Sequence, residues 1–362
     1  MVRPAAFLLM LLLSASLAAG QSRHKKPYSE SVSRYDVTVP KDEGSKPNGA
    51  SANDDVLRIE TDLIMIPVKV TTKNGRAVPD IRRDEFRVFE NGEEQEIAYF
   101  NSDEAPFSVA LLLDMSYSTV FKLQEIQNAA KQFINELKPN DRVMIVAFAE
   151  KGRVLCELTD NRTALRYAID ATKIESGTSF YDTLDDVLNH RLASVSGRKA
   201  IVVLTDGVDT TSKKANFKSV LDDLTESNVI VYPIRYSTYD DVQKSRRNDA
   251  EIRYDDDDRP YVVETSPGKG ERIEDYASAD DFMREAAERT GGGVQRVSSR
   301  TNLAAAFSRI ADELRKTYSL GYYPTSDRIP GSRNFIRVRV YRPDLVIRAK
   351  ETYLKPPHRK DN

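Results

Sequence analysis

Three short strings in this chain could do chemistry together. They are Asp114-Met115-Ser116-Tyr117-Ser118, Gly177-Thr178 and Asp206-Gly207-Val208-Asp209. Each offers hard oxygen donors, carboxylate or hydroxyl, of the kind that suits Mg²⁺, with Mn²⁺ or Ca²⁺ as alternatives. A nucleotide site would want glycines in the first string, so that backbone amides could approach phosphate. Taken singly, each string has an ordinary structural use. Asp206 before glycine is a turn former. Thr178 and Ser179 precede a helix, and Asp182 stands where it would complete a capping box with Ser179. The sequence predicts that Ser179 caps, which leaves Thr178 for the ion.

What joins the strings is the elements that must carry them. Phe107 to Asp114 is a continuous apolar run ending in a carboxylate, as a buried parallel strand would be. Leu123, Ile126, Ala130, Phe133, Ile134 and Leu137 stripe one face of a helix that Pro139 ends. Strands are predicted over 142–149, 153–158 (an antiparallel edge), 199–205, 229–234 and 294–297. Helices are predicted over 162–172, 179–192, 217–224, 280–289 and 303–316. The alternation implies an α/β, doubly wound, Rossmann-like sheet, mostly parallel, with helices on both faces. Ligands in such folds sit outside the carboxyl ends of the strands, and all three strings fall there.

The flanks read as β-structure. Ile64, Ile66, Val68 and Val70 alternate with other residues, and Pro67 suggests an edge or bulge. Phe86 to Phe89, Asn91-Gly92 and Gln95 to Phe100 read as a hairpin. Residues 318–323, 334–341 and 345–353 alternate apolar with basic. The expected organisation is a signal peptide over 1–20, a disordered linker over 21–54, an N-terminal β segment over 55–104, an α/β domain over 105–316 with an insertion at 238–278, and a C-terminal β segment over 317–356. The two β segments would pack together into one small sandwich.

The strings L-L-L-D-M-S-Y-S, S-G-T-S-F-Y-D-T-L and V-V-L-T-D-G-V-D resemble the von Willebrand factor A domain with a complete metal-ion-dependent adhesion site. The resemblance covers roughly residues 105–316. It implies that Asp114, Ser116, Ser118, Thr178 and Asp206 hold one Mg²⁺. It also implies that the two serines bind directly, the aspartates often through water, and that Thr178 and Asp206 trade those roles when a partner's Asp or Glu carboxylate fills the open position. Tyr117, Phe180, Tyr181 and Val208 should rim the metal, although Phe180 and Tyr181 could equally anchor their helix in the core. V-F-E-N-G-E-E-Q-E-I-A-Y-F and Y-S-L-G-Y-Y-P-T resemble a family of secreted bacterial proteins related to this domain, typical of acidobacteria. The insertion, with its Asp255–Asp258 run, departs from the plain domain.

Composition narrows the alternatives. The net charge of −2 gives no reason to invoke nucleic acid or an anionic membrane as partner. A single cysteine, Cys156, excludes an internal disulfide and a Cys-rich zinc site, and its alternating context predicts a small buried strand residue. Of three histidines, His24 and His358 lie in tails and His190 ends a helix, so no Ser-His-Asp hydrolase is readily assembled. No G-x-S-x-G or P-loop string occurs, and an enzyme is not expected. Arg3, the apolar Ala5–Leu13 stretch and the small residues at 16–20 read as a cleaved leader, too short for an ordinary membrane span. The mature chain is expected to be secreted, periplasmic or extracellular. The competing functional reading is a metal-independent structural or assembly protein of the envelope.

Overall fold

The computed structural model describes residues 63–354, apart from 103–105, 249–250, 255–259, 264–265, 298–299, 326–328 and 330–331. The expected leader, the linker and the Asp255–Asp258 run therefore lie outside the described residues.

The chain enters through antiparallel strands. In β1 (Ile64–Thr72) the period-two alternation turns Ile66, Val68 and Val70 fully inward. β1 is an interior strand, yet Pro67 is tolerated, because pairing with the tail on one side covers Ile64–Lys69 and on the other only Val68–Thr72. β2 (Phe86–Glu90) turns at Asn91 and Gly92, whose φ values of 51° and 94° suit the tight turn, into β3 (Glu93–Gln95). The expected hairpin stops there. β4 (Ile97–Asn101) leaves β2 and pairs with the tail instead.

The central layer follows. Its strands are β5 (Phe107–Asp114), β6 (Arg142–Phe148), β7 (Gly152–Thr159), β8 (Arg198–Thr205) and β9 (Val229–Tyr236), with β10 (Glu251–Tyr254) and β11 (Pro260–Val263) as a separate hairpin and β12 (Gln295–Val297) at the far edge. The sheet order is β12-β9-β8-β5-β6-β7, parallel except for the antiparallel edge β7. Between the strands run α1 (Leu123–Glu136), α2 (Arg162–Asp170), α3 (Phe180–Asp186), α4 (Phe217–Glu226), α5 (Tyr239–Asn248), α6 (Ile273–Thr290) and α7 (Arg300–Arg315). Val109, Leu111 and Leu113 of β5 pack with α1, α2 and α7, while Ala110 and Leu112 pack with α3, α4 and α6. Burial on both faces explains why β5 is apolar without alternation. Each such leucine or valine contributes about 1.5–3 kcal/mol over exposure.

Several boundaries differ from expectation for local reasons. The helix expected over 179–192 is regular only to Asp186, and Val187–Arg191 continue it as a π turn. α6 starts at Ile273 rather than Asp280, inside the stretch read as an insertion, which also contains α5 and the β10–β11 hairpin. Cys156 is half-buried on β7 opposite Ile145, and burial pushes its thiol pKa up.

The tail forms β13 (Thr317–Tyr322), β14 (Arg333–Val340), β15 (Leu345–Ala349) and β16 (Thr352–Leu354). These join the first strands in two four-stranded antiparallel sheets, β15-β1-β13-β4 and β16-β14-β2-β3. Both sheets feed one core, with Ile66, Val68, Tyr318 and Leu320 from one and Phe86, Val88 and Ile336 from the other. Within it the buried Glu90 accepts hydrogen bonds from the Tyr322 and Tyr353 hydroxyls at 2.7 and 2.8 Å. A doubly wound α/β layer flanked by small antiparallel sheets is the fold class that the alternation of elements predicts.

Gly291 closes α6 in the left-handed region at φ 82°, and Gly292 then runs against β9. A Cβ on Gly292 would stand 2.0 Å from the Val231 carbonyl oxygen. Gly292→Ala is therefore expected to cost about 3 kcal/mol, because backbone must move where a side chain cannot. Urea unfolding checks this, and an unchanged midpoint would mean that the end of α6 can slide freely.

Candidate functional site

β5 lies between β6, which follows it in the chain, and β8, which the chain reaches only after crossing back. The direction of winding reverses there, which opens a crevice at the carboxyl ends of β5 and β8. Asp114 ends β5 and Asp206 follows β8, so the topology delivers both carboxylates to that crevice. Both are buried, at 0% and 3% exposure.

The serines arrive on the turn after β5. The Ser116 amide donates to Asp114 Oδ1 at 3.0 Å, and Thr119 fixes the same turn by donating from its amide and its hydroxyl to the Ser116 carbonyl. The Ser116 and Ser118 hydroxyls are 3.0 Å apart, and the Ser118 hydroxyl donates to Asp206 Oδ2 at 3.1 Å. Thr178 enters from the loop before α3. Its amide donates to the Thr210 hydroxyl, and its carbonyl accepts from the Thr210 and Thr211 amides. Four of the five expected residues are thus linked by hydrogen bonds. Thr178 joins Ser116, Ser118 and Asp206 as lining of one cavity of about 480 Å³.

Hydroxyls beyond the expected set hold the carboxylates. Thr205 donates to Asp114 Oδ2 at 2.5 Å, and Thr238 donates to Asp206 Oδ2 at 2.5 Å while standing 3.1 Å from the Tyr276 hydroxyl. Thr238 lies just past β9, so inspection of every strand end would have found it. Burial pushes the Asp114 carboxyl well above its usual range, and the Asp206 charge adds to the effect. Asp206 is likewise raised by burial, against the hydrogen bonds from Thr238, Val208 and Ser118. The buried Tyr236 hydroxyl has no partner and is pushed up by burial and then by both carboxylates.

The expected rim is placed unevenly. Tyr117 is 68% exposed and lines the cavity, and Val208 lines it from below. Phe180 does not reach the rim. It is 1% exposed, stacked on Phe148 and edge-on to Phe282, so it anchors α3 in the core. Tyr181 is partly buried against Phe282, and the same aromatic cluster draws it away from the cavity. The expected capping box also fails. Ser179 holds the N-cap position, but its buried hydroxyl has no partner, and Asp182 instead accepts the Lys213, Lys214 and Ala215 amides. That bond set ties α3 to the loop after Asp206. The opposite wall comes from the stretch read as insertion, with Asp241, Arg246, Lys269 and Glu271 lining the cavity.

The donor set is two carboxylates and three hydroxyls, all hard oxygens, and it fits a small divalent cation. Among the described residues no group of three or more His, Cys, Asp or Glu side chains is placed to hold a metal, so any ion here would depend on the hydroxyls. No described helix is long and apolar enough to cross a membrane.

The von Willebrand factor type A domain family matches residues 108–259. No curated protein matches the chain. Among solved structures, an aerotolerance-related membrane protein from Bacteroides fragilis is 17% identical, covers 58% of this chain and 99% of its own, and has a TM-score of 0.41. A von Willebrand factor type A protein from Catenulispora acidiphila is 11% identical over 83% of this chain and 76% of its own, with a TM-score of 0.43. The vWF domain of the type V pili tip protein Mfa5 from Porphyromonas gingivalis is 16% identical over 58% and 95%, with a TM-score of 0.37. The family match assigns residues 108–259 to a von Willebrand factor type A domain, a noncatalytic module capable of protein interaction.

Proposed function

We propose that the domain binds a protein partner through one divalent cation, Mg²⁺ by preference, held by Asp114, Ser116, Ser118, Thr178 and Asp206. The observation that carries this reading is the chain of contacts that runs from the buried Asp114 through the Ser116 amide, the Ser116 and Ser118 hydroxyls and on to Asp206, beside a cavity lined by Ser116, Ser118, Thr178 and Asp206. Two like charges out of water are costly to hold unless a cation neutralises them. Such an ion would supply an electrophilic point for a partner's Asp or Glu carboxylate. The chain's own residues set the rest. Thr205 and Thr238 orient the carboxylates, and Tyr117 and Val208 shape the approach. The leader-like start at residues 1–20 supports a place outside the cytoplasm for this activity.

A second reading is an assembly protein of the cell envelope that needs no metal. One observation favours it, since Asp114 and Asp206 already accept hydrogen bonds from Ser116, Ser118, Thr205 and Thr238 and so have partners without an ion. A pull-down from the native envelope or medium separates the two. With Mg²⁺ present, a carboxylate-bearing partner should be captured, and EDTA or Asp114→Ala should release it. Capture that ignores both treatments would favour the metal-free reading.

A further inference from the structure

β14 and β15 follow one another in the chain but part company. β14 pairs with β2 over Ile336–Val340 and with β16 over Arg333–Phe335, whereas β15 pairs with β1. The phase of β14 is fixed by two bonds. The Asn91 amide donates to the Phe335 carbonyl, and the Tyr341 amide donates to the Glu85 carbonyl. Odd-numbered residues therefore turn their backbone groups toward β2, and even-numbered ones turn theirs away. The Ile336 amide uses that second direction to reach the Glu351 carbonyl at 2.7 Å. Past it the neighbouring chain swings off to the other sheet, and among the described residues no strand pairs with the backbone of Val338 and Val340 on that side, although β15 passes close by without bonding.

A cavity of about 750 Å³ opens at this splayed seam, with Ile336, Val338, Ile347 and Ala349 on its inner side and Arg337 and Arg339 on its outer side. The charge there is mainly basic, with Arg337 and Arg339 lining the cavity against one carboxylate, Glu351, and with Arg333 and Arg348 lining the neighbouring cavity. Nearby Arg87 and Arg342 are matched by Glu94, Asp80 and Glu85. Arg333, Arg337, Arg339 and Arg348 form no ion pair with any described carboxylate. Phe335 stands 63% exposed among them, and Arg339 lies over the Phe89 ring at 5.3 Å.

We propose that this seam takes an acidic, extended segment of a partner protein as an added β-strand. An incoming strand about 4.8 Å from β14 would pair with the backbone of Val338 and Val340. Its period of two then sets its side chains. Alternate ones face the apolar inner side, and those between stand beside Arg337 and Arg339. The chemistry selected is apolar alternating with Glu or Asp. A polyanion without amides, such as a sulfated glycan, would use the arginines and ignore the edge. The site is separate from the Asp114–Asp206 cavity, so chelators leave it unaffected.

The test uses the full chain and a fluorescent peptide alternating glutamate and valine. Controls are its scrambled isomer, a version N-methylated at alternate residues, and heparin. The alternating peptide should bind at least about tenfold more tightly than the scrambled or methylated forms, as expected where main-chain pairing gives affinity and alternate side chains give specificity. Amide exchange at Val338 and Val340 should slow when it binds, and Arg337→Glu with Arg339→Glu should weaken it, with heparin leaving those amides unprotected. Equal binding of the scrambled peptide, binding without protection of the two amides, or no binding at all overturns the proposal. In that last case the arginines serve only to keep an open edge from pairing with another copy.

Discussion

Asp114→Asn is expected to abolish stabilisation by Mg²⁺ while leaving the metal-free protein at least as stable as the parent. The two halves of this result have one cause. Asp114 and Asp206 are buried beside each other, and each charge is unfavourable to the other without a cation. Asparagine removes one charge yet still accepts from the Ser116 amide, and it can meet the Thr205 hydroxyl from the other side. For the parent, a cation at a hundred times its Kd adds about 2.7 kcal/mol of stability. For a domain of this size that is roughly 5–10 °C in Tm. Ser116→Ala is the informative companion, because it removes an oxygen donor and no charge. It should lose the Mg²⁺ response without any gain in metal-free stability. Thermal melts with Mg²⁺ and with EDTA read both outcomes. A parent that ignores Mg²⁺, or an Asn variant that still responds, would remove the metal from the account.

The site was legible to the extent that it follows from strand ends. Asp114 and Asp206 could be assigned to one crevice because a parallel sheet orders its carboxyl edges, and the hydroxyl strings lie beside them. Thr238 follows β9 by the same rule but sits at the start of a charged stretch that broke the pattern. Other features depend on pairings that periodicity does not carry. Nothing in Asp182 indicates that it will accept three amides from residues 213–215 rather than complete a capping box. Phe180 is adjacent in sequence to site residues, but its neighbours Phe148 and Phe282 come from other elements and draw it inward. In the flanking sheets, alternation identified the strands but not where β4 changes sheets. Glu90 looks like a polar strand end, and its burial makes sense only once Tyr322 and Tyr353 meet it from the far end of the chain. Local pattern gives the elements here, and long-range contact chooses among their partners.

One such long-range contact has a measurable pH signature. Lys350, between β15 and β16, is 4% exposed and donates to the Ser227 carbonyl at the end of α4 at 2.7 Å. Burial lowers its ammonium pKa from 10.5 to about 7, against the pull of Glu226. Between those values the unfolded chain holds a proton that the folded chain has released. Stability should therefore rise with pH across that window, by about 1.4 kcal/mol per unit for one proton. Below about pH 7 both states are protonated and the contribution is flat at its least favourable; above 10.5 it is flat at its most favourable. Lys350→Met should remove this slope. The variant leaves the Ser227 carbonyl unpaired, a constant offset that does not depend on pH. The neighbouring Lys199, Asp223, Glu226, Glu351 and Tyr353 are present in both proteins, so subtracting one urea-derived curve from the other isolates Lys350. The difference should change steadily from pH 7 to 9.5, with the parent gaining on the variant. A difference that stays level across that range would mean that Lys350 keeps its proton inside the fold, and that the contact between the tail and α4 is an ammonium–carbonyl bond at every pH tested.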